Sequence, residues 1–508
     1  MKILFVLVSL LLTISANSQK ITARFQDETP VSAVMNLHTV QVGDKSFDYQ
    51  WVGKTSWSLP KNLLNMKAGL KLQMLDANTK DKKEKDLAEG KEVYLPITPT
   101  LKYLYGKLYF FDYKLSADED YVVLEASEVN QNTLELNASK EILKFEKRKL
   151  GRVESLVATD ALNLDIQQSP NTNTVAIVSS YGSKKLLSYA VFGNNFSFLR
   201  NGEAGEVEDA REFNVKDVSV TDNGNVYIPI LFKNKEGFFF KPTILISLPN
   251  KTVKQIPIEP QGIICRTMCL TNGFDNNIAI TGTYKEEGTD YICGVYKTGL
   301  NLQTNKIDPF EKMPVPQVFA EQLSKSGFGI SKKKDLGMSP IEVKTTLLSD
   351  GTLCMTGQFK RVEWGERTAF SVIGNILVVY IKNGKAVYSA VPRLRVSVSN
   401  LTGSDYYTFI DKDKVIVFYN DHKDNLKRKN EDVERSDKYN NHVLTAAVVE
   451  RDGTVKRELV LDDTENSFLS VPSSVAPIDA SSFIISFVKV GGPGGIKDDR
   501  KKAKVIVE

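Results

Sequence analysis

The chain has 508 residues, 42% hydrophobic and 25% charged, and its 66 basic and 62 acidic side chains leave a formal net charge of +4. That hydrophobic share is enough for a packed core, and the near-neutral balance lacks the strong basic bias of a nucleic-acid binder. Four cysteines (Cys265, Cys269, Cys293 and Cys354) are too few to frame a scaffold of this size with disulfides.

The chain opens with Met1 and Lys2, followed by residues 3–12, apolar except for Ser9, and then the small-residue step Ala16-Asn17-Ser18. A basic start, a short apolar run and an A-x-S step are the layout of a cleavable export signal. The run is too short for a spanning helix, which takes about 20 residues. Cleavage after Ser18 is expected, giving a mature chain of residues 19–508 with no transmembrane segment. Its expected location is the periplasm, the outer surface or the medium.

From residue 92 onward strand-like runs dominate, among them 107–113, 121–125, 174–179, 186–192, 225–232, 277–284, 375–382, 414–419, 443–450 and 482–488. Each is rich in Val, Ile, Tyr, Phe or Leu and bounded by turn residues. Hairpin turns are marked by Asp222-Asn-Gly224, Asn272-Gly273, Asp350-Gly351, Asn383-Gly384 and Asp452-Gly453, because Asn, Asp and Gly accept positive φ cheaply. The runs fall into units of roughly 50 residues with three or four strands each, the period of propeller blades. Units start near residues 97, 163, 215, 267, 343 and 405. Residues 70–88 look like the outer strands of an earlier unit, and a last one from 475 is short.

The segment Ser169-Pro-Asn-Thr-Asn-Thr-Val-Ala176 resembles the Ser-Pro-Asp-Gly turn of exported TolB/WD40-like β-propellers, and Leu75-Asp-Ala-Asn-Thr79 resembles the turn between a blade's outer strands. The chain departs from that family in lacking a Trp-Asp dipeptide and a strict repeat length. The general character is similar to envelope proteins of Bacteroidota, which implies no activity. The expected fold is all-β, a single β-propeller over residues 19–508 of about seven blades, with eight as the neighbouring count. Residues 20–52 hold spare strand-like runs, so an N-terminal strand is expected to complete the C-terminal blade and remove sheet edges. Two consecutive β-sandwiches are the rival architecture.

Two stretches interrupt the pattern. Residues 308–340 contain a short helical run, 317–324, and the triplet Lys332, Lys333, Lys334; a lid over the axial funnel and a passive insertion are equal readings. Residues 420–441 read as a charged, solvated hairpin extension. The charged piece 497–502 reads as a hairpin loop.

No chemistry-bearing motif stands out. The three histidines, His38, His422 and His442, have no metal-ligand spacing, and there is no HExxH, no Gly-x-Ser-x-Gly and no GxxxxGK[ST]. No metal and no cofactor is implied. If residues 262–270 form a strand, Cys265 and Cys269 lie about 13 Å apart on one face and cannot bond to each other. A bridge from either to Cys293, or buried free thiols, stays open. Asp222, Asp350 and Asp452 read as turn formers. Trp364, in the polar segment Glu363-Trp-Gly-Glu-Arg367, is the aromatic residue least explained by packing, and with Lys332–Lys334 it is the candidate binding position. Three functions remain: a non-enzymatic binding or scaffolding propeller with a protein partner in the envelope, a carbohydrate-active propeller hydrolase or lyase using acids in the axial funnel, and a non-catalytic glycan-binding module. The first is favoured, since missing motifs subtract from catalysis and nothing subtracts from binding.

Overall fold

A computed structural model describes residues 21–30, 38–43, 45–52, 69–76, 82–87, 100–118, 120–150, 163–181, 186–203, 212–215, 218–233, 239–250, 252–258, 262–272, 277–289, 292–325, 340–364, 369–393, 395–397, 405–411, 414–428, 441–490 and 496–508. They form eight antiparallel sheets in sequence order, each a blade of an eight-bladed propeller. Blades 1 to 7 cover residues 38–86, 100–146, 163–203, 212–257, 263–314, 340–397 and 406–461. Blade 8 takes Phe468–Asp479, Ser482–Val490 and Ile496–Val507, and its outermost strand is the N-terminal Ile21–Pro30, paired antiparallel from Ile21 opposite Val507. This is the expected closure. The count of eight comes from the spare N-terminal runs: His38–Val42 and Lys45–Val52 are the inner strands of blade 1, whose outer strands are Gly69–Asp76 and Lys82–Asp86. The innermost strand of blade 1 lies between those of blades 8 and 2, which closes the ring.

Each blade is two-faced, so its apolar residues are buried only against its neighbours. Accordingly, the apolar clusters sit between successive blades. One such cluster packs Tyr109 and Phe111 of blade 2 against Ile177 and Phe192 of blade 3, and another packs Val417 and Tyr419 of blade 7 against Val378 and Tyr380 of blade 6. The seam between blades 8 and 1 carries a polar lock instead. Lys502 Nζ donates to the Asp48 carboxylate and, at 2.9 Å, to Ser46 Oγ, all buried. One residue earlier on the same strand, Lys501 points to the opposite side and pairs with Asp463 at 3.1 Å. The segment expected to be a loop at 497–502 is therefore strand, and two of its lysines are structural.

The second strand of a blade starts at the turn that joins it to the first, so these turns define one face of the ring, here called lower, and the second strands end at the upper face. In most blades the second strand is aliphatic first and polar last. Val175–Tyr181 reads VAIV then SSY, Lys414–His422 reads KVIVFY then NDH, and Asn277–Glu286 reads NIAI then TGTYKE. Ser179, Ser180, Thr281, Thr283, Asn420 and Asp421 are all buried. In these three strands the buried polar side chains gather at the upper end.

Glycine makes one irregularity workable. The innermost strand of blade 5 is split into Ile263–Cys265 and Cys269–Asn272. Between them the Thr267 carbonyl presses onto Gly282, where an added Cβ would stand 1.9 Å from it. That carbonyl accepts the Tyr296 hydroxyl at 3.0 Å.

Candidate functional site

The upper half of blade 7 holds a buried polar network. Asp421 accepts from Asn425 Nδ2 at 2.9 Å and from the His422 amide at 2.8 Å, and Arg457 Nη1 lies 3.5 Å from its second oxygen. Burial pushes the Asp421 carboxyl upward, against the pull of these donors. Arg457 also donates to the Arg428 carbonyl at 2.8 Å, so the network roots the short helix Lys423–Lys427; residues 429–440 of the stretch expected to be a charged hairpin extension lie outside the described residues. His422 and His442 face each other across the ladder with ring centroids 6.3 Å apart. Among the described residues no group of three or more His, Cys, Asp or Glu is arranged to hold a metal ion.

Among the described residues, clefts open between blades 2 and 3 and between blades 5 and 6. The upper one, about 320 Å³, lies between blades 2 and 3 and is lined by Tyr121, Lys144, Glu146, Lys149, Leu186 and Glu203, among others. Lys144 Nζ stands 3.8 Å from the Tyr121 ring centre and covers that ring face. Glu146 is engaged by Arg148 at 2.6 Å and Lys149 at 3.5 Å, which holds its carboxyl below the usual range, Arg148 foremost. The lower cleft, about 270 Å³, lies between blades 5 and 6, with Asn277, Lys297, Asp308 and Glu311 over an apolar wall that includes Leu347 and Leu353. Among the described residues three carboxyls are raised by burial, Asp112 to about 6, Asp421 and Glu458, and they line neither cleft.

Of the residues singled out in the sequence, Lys332, Lys333 and Lys334 lie outside the described residues. Trp364 ends the strand Leu353–Trp364, with its backbone opposite Ala369, and its side chain is outside the description. The helical run is present as Gln317–Lys325. Its Phe319, Ala320 and Leu323 are buried with Tyr388 of the outermost strand of blade 6, which sets this helix on the rim between blades 5 and 6. Tyr388 pins that seam by donating to the Met313 carbonyl at 2.6 Å and accepting from the Val295 amide at 3.0 Å. All four cysteines are free thiols, and burial raises Cys265 and Cys354 to about 12. Asp350 and Asp452 accept the amides of Thr352 and Thr454, as turn formers do. Asp222 instead reaches the Asn171 amide of the neighbouring blade at 2.7 Å. Sequence reasoning missed both clefts, because each is assembled from separate strands.

The sequence matches no protein-family model, and no curated protein matches it significantly. Among solved structures the chain is similar to the β-propeller domain of the trilobed protease from Pyrococcus furiosus, at 9% identity and TM-score 0.35, covering 86% of this chain and 97% of that one. It is similar to the WD40 domain of SCAP from fission yeast, at 8% identity and TM-score 0.39, covering 95% and 98%. A polysaccharide lyase, an ulvan lyase, gives 10% identity and TM-score 0.38, covering 94% and 95%. At such scores the propeller assignment stands on the eight sheets themselves.

Proposed function

We propose that this chain is an exported, non-enzymatic binding propeller of the cell envelope that holds a protein partner. The observation that carries the reading is that, among the described residues, the acids lining the two clefts are not the ones that burial raises. Glycoside hydrolysis needs a proton-holding carboxyl and an ionised one flanking the same bond, about 5 to 9.5 Å apart. Among the described residues the carboxyls that burial raises, Asp112, Asp421 and Glu458, line neither cleft. The rim adds a protein-type contact point. Phe198 and Leu199, on the outermost strand of blade 3, are 53% and 46% exposed. They follow a turn in which Asn195 and Phe196 both hold positive φ, and the Phe196 ring is wedged between Phe192 and Tyr109. Such strain persists only where the surroundings fix it. Export is supported by the apolar run 3–12 and the A-x-S step.

The test is a crosslinked pull-down of the tagged mature chain from its native envelope at two salt concentrations. One dominant protein persisting at the higher salt is the expected result, and no enrichment over a mock control refutes the reading. A second reading, glycan binding without catalysis, draws on Tyr121 beside Glu146 and Glu203 in the upper cleft. A glycan array separates it from the first.

A further inference from the structure

The upper cleft holds a hydroxyl that the fold leaves unused. Side chains of the strand Leu186–Gly193 alternate between two seams. Leu187, Tyr189 and Val191 pack on blade 4, and Leu186, Ala190 and Phe192 pack on blade 2. Ser188 belongs to the second set and lines the cleft. It is only 7% exposed, and among the described residues its hydroxyl has no hydrogen-bond partner. Its oxygen is nevertheless open to the cleft, whereas Thr445 Oγ1 is sealed in. Comparable buried hydroxyls are engaged. Ser179, the register partner of Ser188, meets the Tyr113 hydroxyl at 2.5 Å, and Ser247 accepts from Arg200 at 2.9 Å. Burying a hydroxyl without such a bond is unfavourable.

On its other side Ser188 stands opposite Glu203 of the outermost strand. Register partners share one face with their Cβ atoms about 4.5 to 5.5 Å apart. The ladder therefore sets Ser179, Ser188 and Glu203 in a row that runs outward from the strand interior to the blade edge. The first is satisfied. The Glu203 carboxylate, exposed at the mouth, has no ion pair or hydrogen bond among the described residues. Blade 2 supplies the facing wall with the buried Phe145 ring, Lys144 and Lys149. The remaining acid of the cleft, Glu146, is already met by Arg148 and Lys149.

From this geometry we infer that the upper cleft binds a vicinal diol of a saccharide through Ser188 and Glu203. An ionised Glu203 only accepts, and Ser188 both donates and accepts. The bound group must give a donor to the first and complement the second from a neighbouring atom, and two adjacent hydroxyls do both. An ammonium offers donors alone and meets the positive charges of Lys144 and Lys149 across the cleft. Leu186 and Phe145 present apolar surface to the ring carbons. A cleft of about 320 Å³ is roughly ten times the ~30 Å³ share of one water, which is room for a sugar ring. The inference rests on the second reading above, glycan binding, and supplies its chemistry. The diol has two sources, a free sugar or a unit of a polysaccharide.

The experiment titrates the mature chain with the methyl glycosides of glucose, galactose and mannose, with tetrahydropyran-2-methanol as a ring lacking a vicinal diol, and with butylammonium, read by saturation-transfer NMR and calorimetry. At least one glycoside is expected to bind, and the two control probes are not. Glu203→Gln weakens binding about tenfold, and Ser188→Ala about threefold to tenfold. Ser188→Ala also leaves the thermal midpoint unchanged or raised, because it removes a hydroxyl with no partner in the fold; a purely structural serine would lower it. Glu311→Gln in the lower cleft leaves binding unchanged. Affinity that grows from methyl glycoside to oligosaccharide marks a polysaccharide as the source, and equal affinity marks a free sugar. Binding of no glycoside, butylammonium binding in their place, or wild-type affinity in both Ser188→Ala and Glu203→Gln overturns the inference. Array glycans held equally by wild type and both variants sink this inference and keep the glycan reading, whereas a blank array together with silent glycosides sinks both.

Discussion

Lys502→Met tests how the ring is locked. The Lys502 and Asp48 side chains are only 9% and 7% exposed, and the pair joins positions 454 residues apart in sequence. Removing the cation leaves a buried carboxylate without its partner, which costs about 3 to 5 kcal/mol. At about 1.4 kcal/mol per factor of ten, opening of the seam becomes roughly a hundredfold to several thousandfold more frequent. The effect should be local, since the other seams keep their apolar clusters. Hydrogen exchange read by mass spectrometry checks it. Amides in 21–30, 45–52 and 496–507 should speed up by that factor, while 226–233 in blade 4 barely changes. Asp48→Leu combined with Lys502→Met should restore most of the protection, because an apolar pair of similar volume commonly matches a buried ion pair. Uniform acceleration across the blades, or a double variant as labile as the single one, would refute the lock.

Three further outcomes follow from buried groups. Tyr388→Phe removes a hydroxyl that both donates to Met313 and accepts from Val295; it should destabilise by about 1 to 3 kcal/mol, read from the denaturation midpoint. Gly282→Ala drives a Cβ into the Thr267 backbone and should cost about 1 to 3 kcal/mol, whereas Gly288→Ala meets nothing within 4 Å and bears only the penalty of its positive φ. Burial, partly offset by Lys114, lifts the Asp112 carboxyl from 3.8 to about 6. The folded state therefore holds that proton more tightly than the unfolded one. Stability from this group is full below about pH 4 and falls as pH climbs to about 6, by up to about 3 kcal/mol. Asp112→Asn should gain on wild type by that amount between pH 4 and pH 7 in chemical denaturation, and a pH-independent difference contradicts the assignment.

Much of the architecture was legible because a blade advertises itself locally. Runs such as 174–179 and 443–450 are β-rich, and the Asp350 and Asp452 turns carry their own amide acceptors. Closure by an N-terminal strand was also legible, from the shortness of the last unit. Blade 1 was harder: its inner strands at 38–52 and outer strands at 69–86 are parted by a stretch without strand signals, so the two pairs read as separate features. The charged run at 497–502 misled for a different reason. Lysines normally mark a solvated face, and the carboxylates that bury Lys501 and Lys502 lie 38 and 454 residues away. Cysteine state was settled by register: Cys265 lies opposite Tyr284, whose other neighbour is Gly294, so a full strand separates Cys265 from the Cys293 segment. The lower cleft was invisible because Asn277, Asp308 and Glu311 are ordinary residues in three segments, and only the packing of blades 5 and 6 gives them a common wall.

The pairing of Ile21 with Val507 has a consequence for how the ring can be rewired. Register partners on adjacent strands stand about 5 Å apart, so a linker of a few residues could join them without disturbing blade 8. The chain could then be reopened between blades 2 and 3, or between any other pair, and each circular permutant would carry the same eight sheets in the same cyclic order. What would change is which blade must wait for a strand from the far end of the polypeptide, and so which seam forms last. In the natural order that seam involves blade 8, the same blade whose Lys502 provides the polar lock to blade 1.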